Sequence, residues 1–98
     1  MITANELQVS SQRALLDAIT PNMRLIAFGI NDDLLISRVF FETEPSEEET
    51  ELIQVSITEI LADFPKINRL DTKMIVNNGD ISKVKRPEVI AYARFERK

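Results

Sequence analysis

Apolar residues recur at two different periods along this chain, and the changes of period divide it into elements. Leu7, Ala14, Leu15, Ala18 and Ile19, with small Ser11 between them, follow the three-, four- and seven-residue spacing of one helix face. Thr3-Ala4-Asn5-Glu6 precedes them and fits a Thr-x-x-Glu capping box, so a helix is predicted from near Ala4 until Thr20-Pro21 stops it. Met23 to Ile30 and Leu34 to Thr43 are instead dense in Ile, Leu, Val and Phe. Asn31-Asp32-Asp33 separates them with side chains that favour turns by bonding their own backbone, which predicts a β-hairpin. Ser37, Arg38 and Glu42 interrupt the second arm, so part of one sheet face should be solvated.

Glu44-Pro45-Ser46-Glu47-Glu48-Glu49 contains a second capping box, Ser46 with Glu49, and sets three carboxylates at the positive end of a helix dipole. Leu52, Ile53, Ile57, Ile60, Leu61 and Phe64 then share one helical face, Glu51, Gln54, Thr58 and Glu59 fall largely on the other, and Pro65 ends the helix. Ile67 to Val76 alternates loosely as one strand before the turn residues Asn77-Asn78-Gly79-Asp80. Ile81 to Pro87 reads as a connecting loop. Glu88 to Glu96 reads as a strand with Val89, Ala91, Ala93 and Phe95 on one face and Ile90, Tyr92 and Arg94 on the other. The order α-β-β-α-β-β predicts a single α+β domain over residues 1–98, one mostly antiparallel four-stranded sheet with both helices packed on one face.

Charge adds a second pattern. The net charge of -4 hides a division of the chain: Met1 to Pro65 holds 12 acidic and 3 basic residues, Lys66 to Lys98 4 acidic and 9 basic. Such asymmetry concerns long-range fields and partners rather than fold. No apolar run approaches the ~20 residues of a membrane span, and Met1 to Glu6 lacks a signal-peptide pattern, so a cytoplasmic protein is expected.

The chain has no histidine and no cysteine, which removes the commonest general base, the usual nucleophile pairings, disulfides and nearly all zinc sites. Its two glycines, Gly29 and Gly79, are too far apart for a phosphate-binding loop or a dinucleotide fingerprint. No catalytic residue, cofactor or metal is therefore expected. Asp32-Asp33 lacks the spaced carboxylates of a calcium loop and reads as a solvated turn.

What helix capping does not account for is the run of acid from the hairpin to the second helix. Asp32, Asp33, Glu42, Glu44, Glu47, Glu48 and Glu51 are the candidate partner-binding residues, because a cluster of one sign attracts basic partners and speeds encounter. Lys83, Lys85, Arg86, Arg94, Arg97 and Lys98, interleaved with Tyr92 and Phe95, form the opposite candidate. Nucleic-acid modules usually carry overall positive charge, and no such motif is present, so the basic third reads as a loop and a strand whose aromatic residues are core.

Two stretches carry a resemblance. Ala14-Leu15-Leu16 leading into Thr20-Pro21-Asn22-Met23-Arg24, and Glu47-Glu48-Glu49 followed by Thr58-Glu59-Ile60-Leu61-Ala62-Asp63-Phe64-Pro65, resemble immunity proteins of bacterial contact-dependent growth inhibition systems. The similarity continues faintly through Arg69-Leu70-Asp71. It implies a protein that binds and neutralises a toxin domain made by the same cell, often a nuclease, and it carries over no functional residue. The acidic segment gives that reading a rationale, since a nuclease needs a basic surface to hold its substrate. The alternative is a non-catalytic adaptor or homodimer joined through a sheet edge or through the face without helices, where Phe40, Ile90 and Tyr92 would be interface.

Overall fold

The computed structural model describes residues 2–96. Helix α1 spans Ala4–Ala14, strands β1 and β2 Met23–Asn31 and Leu34–Phe41, helix α2 Glu47–Asp63, β3 Arg69–Val76, a short 3-10 turn Ile81–Lys83, and β4 Val89–Ala93. Both predicted capping boxes form, with the Thr3 and Ser46 hydroxyls accepting from the N–H of Glu6 and Glu49 at 3.1 and 3.0 Å. The sheet order is β3-β2-β1-β4. The β1 strand is antiparallel to β2 and to β4, whereas β3 runs parallel to β2, so the sheet is mixed and mostly antiparallel.

A two-residue hairpin joins β1 to β2, and Asp32 holds the left-handed φ of 55° that primed hairpin turns need at their first central residue. The parallel pairing of β3 follows from α2, which carries the chain from the end of β2 back to the start of β3. Leu7, Ala14, Leu15 and Ala18 from the first helical region and Ile53, Ile57 and Ile60 from α2 pack with Ile26, Phe28, Leu35, Val39 and Phe41 in one core on one face of the sheet. Ser10 and Asp63 fasten the two helices side by side, with a hydroxyl-to-carboxylate bond of 2.7 Å.

A second crossover, residues 77–88, returns from β3 to β4 over the opposite face. There a Cβ on Gly29 would lie 3.0 Å from Cβ of Pro87, so the absence of a side chain at 29 admits the loop. At its start the carbonyl of Asn77 accepts from Nη1 of Arg24, whose Nε donates to Glu96 at 2.6 Å. Arg24 itself is the extra residue of a β-bulge, unpaired between Met23 opposite Phe41 and Leu25 opposite Phe40.

Three details depart from the sequence pattern. The first helix ends at Ala14, not at Thr20: Asp17 takes a left-handed φ of 67°, and residues 15–18 turn while still burying Leu15 and Ala18. In β4 the alternation is broken at Ala91, because Ile26 pairs with Tyr92 and Ala27 with Ile90. The bulge puts Tyr92 with Val89 against the helix-side core and leaves Ile90 and Ala93 on the other face; Phe95, beyond the strand, is 87% exposed rather than core. Phe40 is 2% exposed, so neither it nor Tyr92 is a bare interface position.

Candidate partner-binding surface

The start of α2 is built from its cap outward. Glu49 reaches back to the Ser46 N–H at 3.0 Å and also accepts from Nδ2 of Asn22 at 3.2 Å and from the Thr20 hydroxyl. Burial alone would raise the Glu49 carboxyl, but the bonds from Thr20, the Ser46 backbone and Asn22 together outweigh it and hold the group below its usual range. Asn22 completes the joint by accepting from the Thr43 N–H at 2.8 Å and donating to the Thr43 carbonyl at 3.0 Å. Glu49 is thereby spent on structure and the helix N-terminus is locked to the segment before β1.

Around that joint Glu44, Glu47, Glu48 and Glu51 are exposed and, among the described residues, make no ion pair. Glu48, Glu51, Val55 and Glu59 follow one another at three- and four-residue spacing on the outer face of α2, and Val55 is 53% exposed. Glu59 and Val55 belong to this surface although the acidic run in the sequence stops short of them. The signal for them was the 51, 55, 59 spacing.

Glu42 lies next to this group but is engaged: Nη2 of Arg94 donates to it at 2.9 Å and to Glu96 at 3.2 Å. Glu42, Arg94, Glu96 and Arg24 thus form an alternating network in which the Arg24 guanidinium holds the Glu96 carboxyl below the usual range. Asp32 and Asp33 sit at the other end of β2, about 30 Å of extended chain from Glu42. Asp33 accepts from Arg69 Nε at 2.7 Å, and this bond first, with the charge of Arg69, lowers its carboxyl. The seven candidate acids therefore divide into an unpaired cluster at the head of α2, one networked residue and a separate hairpin tip.

The opposite face of the sheet carries more cations than acids, with Glu88 and Asp71 set among them. Arg38, Lys85 and Arg86 line a depression of about 460 Å³ with Gly29, Ile36 and Pro87, and Lys73 stands beside Arg38 in the register of β3. Arg38 is bidentate to Asp71, at 3.3 and 3.0 Å. Arg97 and Lys98 lie outside the described residues. Among the described residues no group of three or more Asp or Glu could hold a metal ion, and no helix is long and apolar enough to cross a membrane.

A small α+β domain with a rigidly capped helix, an unpaired acidic face and open depressions offers chemistry suited to surface recognition of another macromolecule. The chain belongs to the MafI2 immunity protein family, whose model matches residues 4–96. It is an immunity protein, and its family implies a cognate toxin as partner. Comparison with curated proteins found no match.

Proposed function

We propose that this immunity protein neutralises its toxin by direct contact, without catalysis, through the outer face of α2. The observation that carries the reading is the set of unpaired carboxylates, Glu44, Glu47, Glu48, Glu51 and Glu59, around half-exposed Val55 on a helix whose position is fixed by Glu49. An apolar centre with a charged rim is the usual anatomy of a protein interface. The toxin that fits it presents a basic surface, as a nuclease does toward its substrate, and the acidic face covers that surface or lies beside it. Asp32 and Asp33 at the hairpin tip form a second, weaker arm. The setting proposed is a contact-dependent growth inhibition system, with the immunity protein retained in the cytoplasm.

The test uses the toxin domain encoded beside the immunity gene. Glu44, Glu48 and Glu51 changed to Lys, with Ser46 and Glu49 kept, should slow association about tenfold or more while the fold stays intact. Asp32 and Asp33 changed to Lys should cost less. Wild-type association should slow with added salt. Lys83, Lys85 and Arg86 changed to Glu should leave binding intact or speed it. Binding indifferent to the acidic reversal and destroyed by the basic one would transfer the contact to the crossover face and overturn the proposal.

A further inference from the structure

The two edges of the sheet are built differently. The β4 strand is short, is bulged at Ala91, and has the Ile90 carbonyl covered by the Gln8 amide of α1 at 2.9 Å. The β3 strand keeps an unbroken register with β2 from Arg69 to Val76 and contains neither bulge nor proline. Long, regular, uncovered edges are what folded proteins ordinarily avoid, because they template pairing with another chain.

The ladder tells which groups of β3 are free. Arg69 N–H donates to the Asp33 carbonyl at 3.1 Å and Asn77 N–H to that of Phe41 at 2.8 Å. In a parallel pair this makes the odd-numbered residues face β2, so Leu70, Thr72, Met74 and Val76 direct N–H and C=O outward. No hydrogen bond among the described residues reaches those outward groups. The side chains of the same four residues lie on the helix side of the sheet, where Leu70 and Val76 remain 50% and 46% exposed.

We propose that this edge joins two copies of the chain as an antiparallel β3–β3 dimer centred on Thr72, fusing two four-stranded sheets into one. In that register Thr72 faces its counterpart and Leu70 faces Met74, all outward-directed residues, so each pair exchanges both of its backbone bonds. On the other face Asp71 stands opposite Lys73, twice by symmetry. The neighbouring registers that keep outward groups opposite each other are centred on Asp71 or on Lys73, and each sets like charges face to face. The alternation Asp71-Thr72-Lys73 thus favours the Thr72-centred pairing over the registers on either side of it and names a second copy as the occupant. The edge residues Leu70 to Val76 are not among the carboxylates proposed to meet the toxin.

Sedimentation of the purified full chain over a range of concentration tests this directly. The wild type is expected to sediment as a concentration-dependent dimer. Thr72→Pro removes an N–H that has no partner in its own sheet, at an edge position where proline is tolerated, so it should raise the dimer dissociation constant at least tenfold with an unchanged circular dichroism spectrum. Lys73→Asp and Asp71→Lys should each be monomeric alone, because each opposes like charges, and an equimolar mixture of the two should reassociate. A wild type that is monomeric up to millimolar concentration, a dimer indifferent to Thr72→Pro, or charge variants that self-associate as well as the wild type would overturn the proposal.

Discussion

The chain crosses between parallel strands twice, once on each face of its sheet, and the two crossovers are opposites. The first, from β2 to β3, is α2: capped at Ser46, acidic on its outer side and holding Ile53, Ile57 and Ile60 fully in the core. The second, residues 77–88, has one 3-10 turn, sets Lys83, Lys85 and Arg86 against Asp80 and Glu88, and contains no fully buried residue; Ile81, Val84 and Pro87 are partly buried. A helix meets its own backbone hydrogen bonds and can spend a whole stripe on burial, whereas an irregular segment must leave much of its backbone to water. One crossover is therefore a determinant of the fold. The other is attached at its ends, by Arg24 to the Asn77 carbonyl and by Pro87 to Gly29, and belongs to the low-stability end of the molecule.

The sharpest way to break this contrast is a pair of truncations. Ile60→Ala should destabilise the protein by about 2–5 kcal/mol through the cavity left under α2. Val84→Ala in the second crossover should cost about 1 kcal/mol or less. Denaturant midpoints compare the two directly, and equal losses would show that the second crossover also carries core. Next in size, Gly29→Ala should cost about 1–2 kcal/mol by pressing a methyl group against Pro87. The loss should be recovered by Pro87→Gly, and amide exchange should speed up near residue 87 while α2 stays protected. The smallest effect concerns acid. The Glu49 carboxyl lies below its ordinary 4.5 in the folded state, so its stabilisation is complete above that value and is lost as pH falls through the folded value. Glu49→Gln should lower stability at neutral pH by about 1 kcal/mol and flatten the decline of Tm on the acid side of pH 4.5.

Most elements were legible in the chain because their signals are local. A capping box needs four consecutive residues, and both were found by spacing alone and form as expected. The hairpin followed from Asn31-Asp32-Asp33, and the turn after Val76 from Asn77-Asn78-Gly79. Strict alternation does not survive a bulge: after Ala91 each side chain changes face, and Tyr92 packs on the core side. The end of α1 failed for a similar reason, since Leu15 and Ala18 keep the helical apolar spacing while the backbone has already left the helix.

The acidic segment shows the limit for the surface. Contiguity in sequence suggested one patch, but an eight-residue strand lies between Asp33 and Glu42, Arg69 takes Asp33, and Arg94 takes Glu42. Neither arginine is near its acid in the chain, so nothing local foretold the pairing. What survives is the part that lies within one helix, where spacing of three and four residues is itself geometry.

By itself the sequence determined the number and type of elements, the two caps, the apolar stripe of α2 and the absence of histidine and cysteine chemistry, because each is set by residues within a turn or two of one another. Only the tertiary structure decided that β3 lies parallel to β2 at an open edge, that the second crossover takes the face opposite the helices, and which carboxylates remain unpaired. Those outcomes depend on which distant segments meet, and that choice is made by collective burial around one core rather than by any local preference.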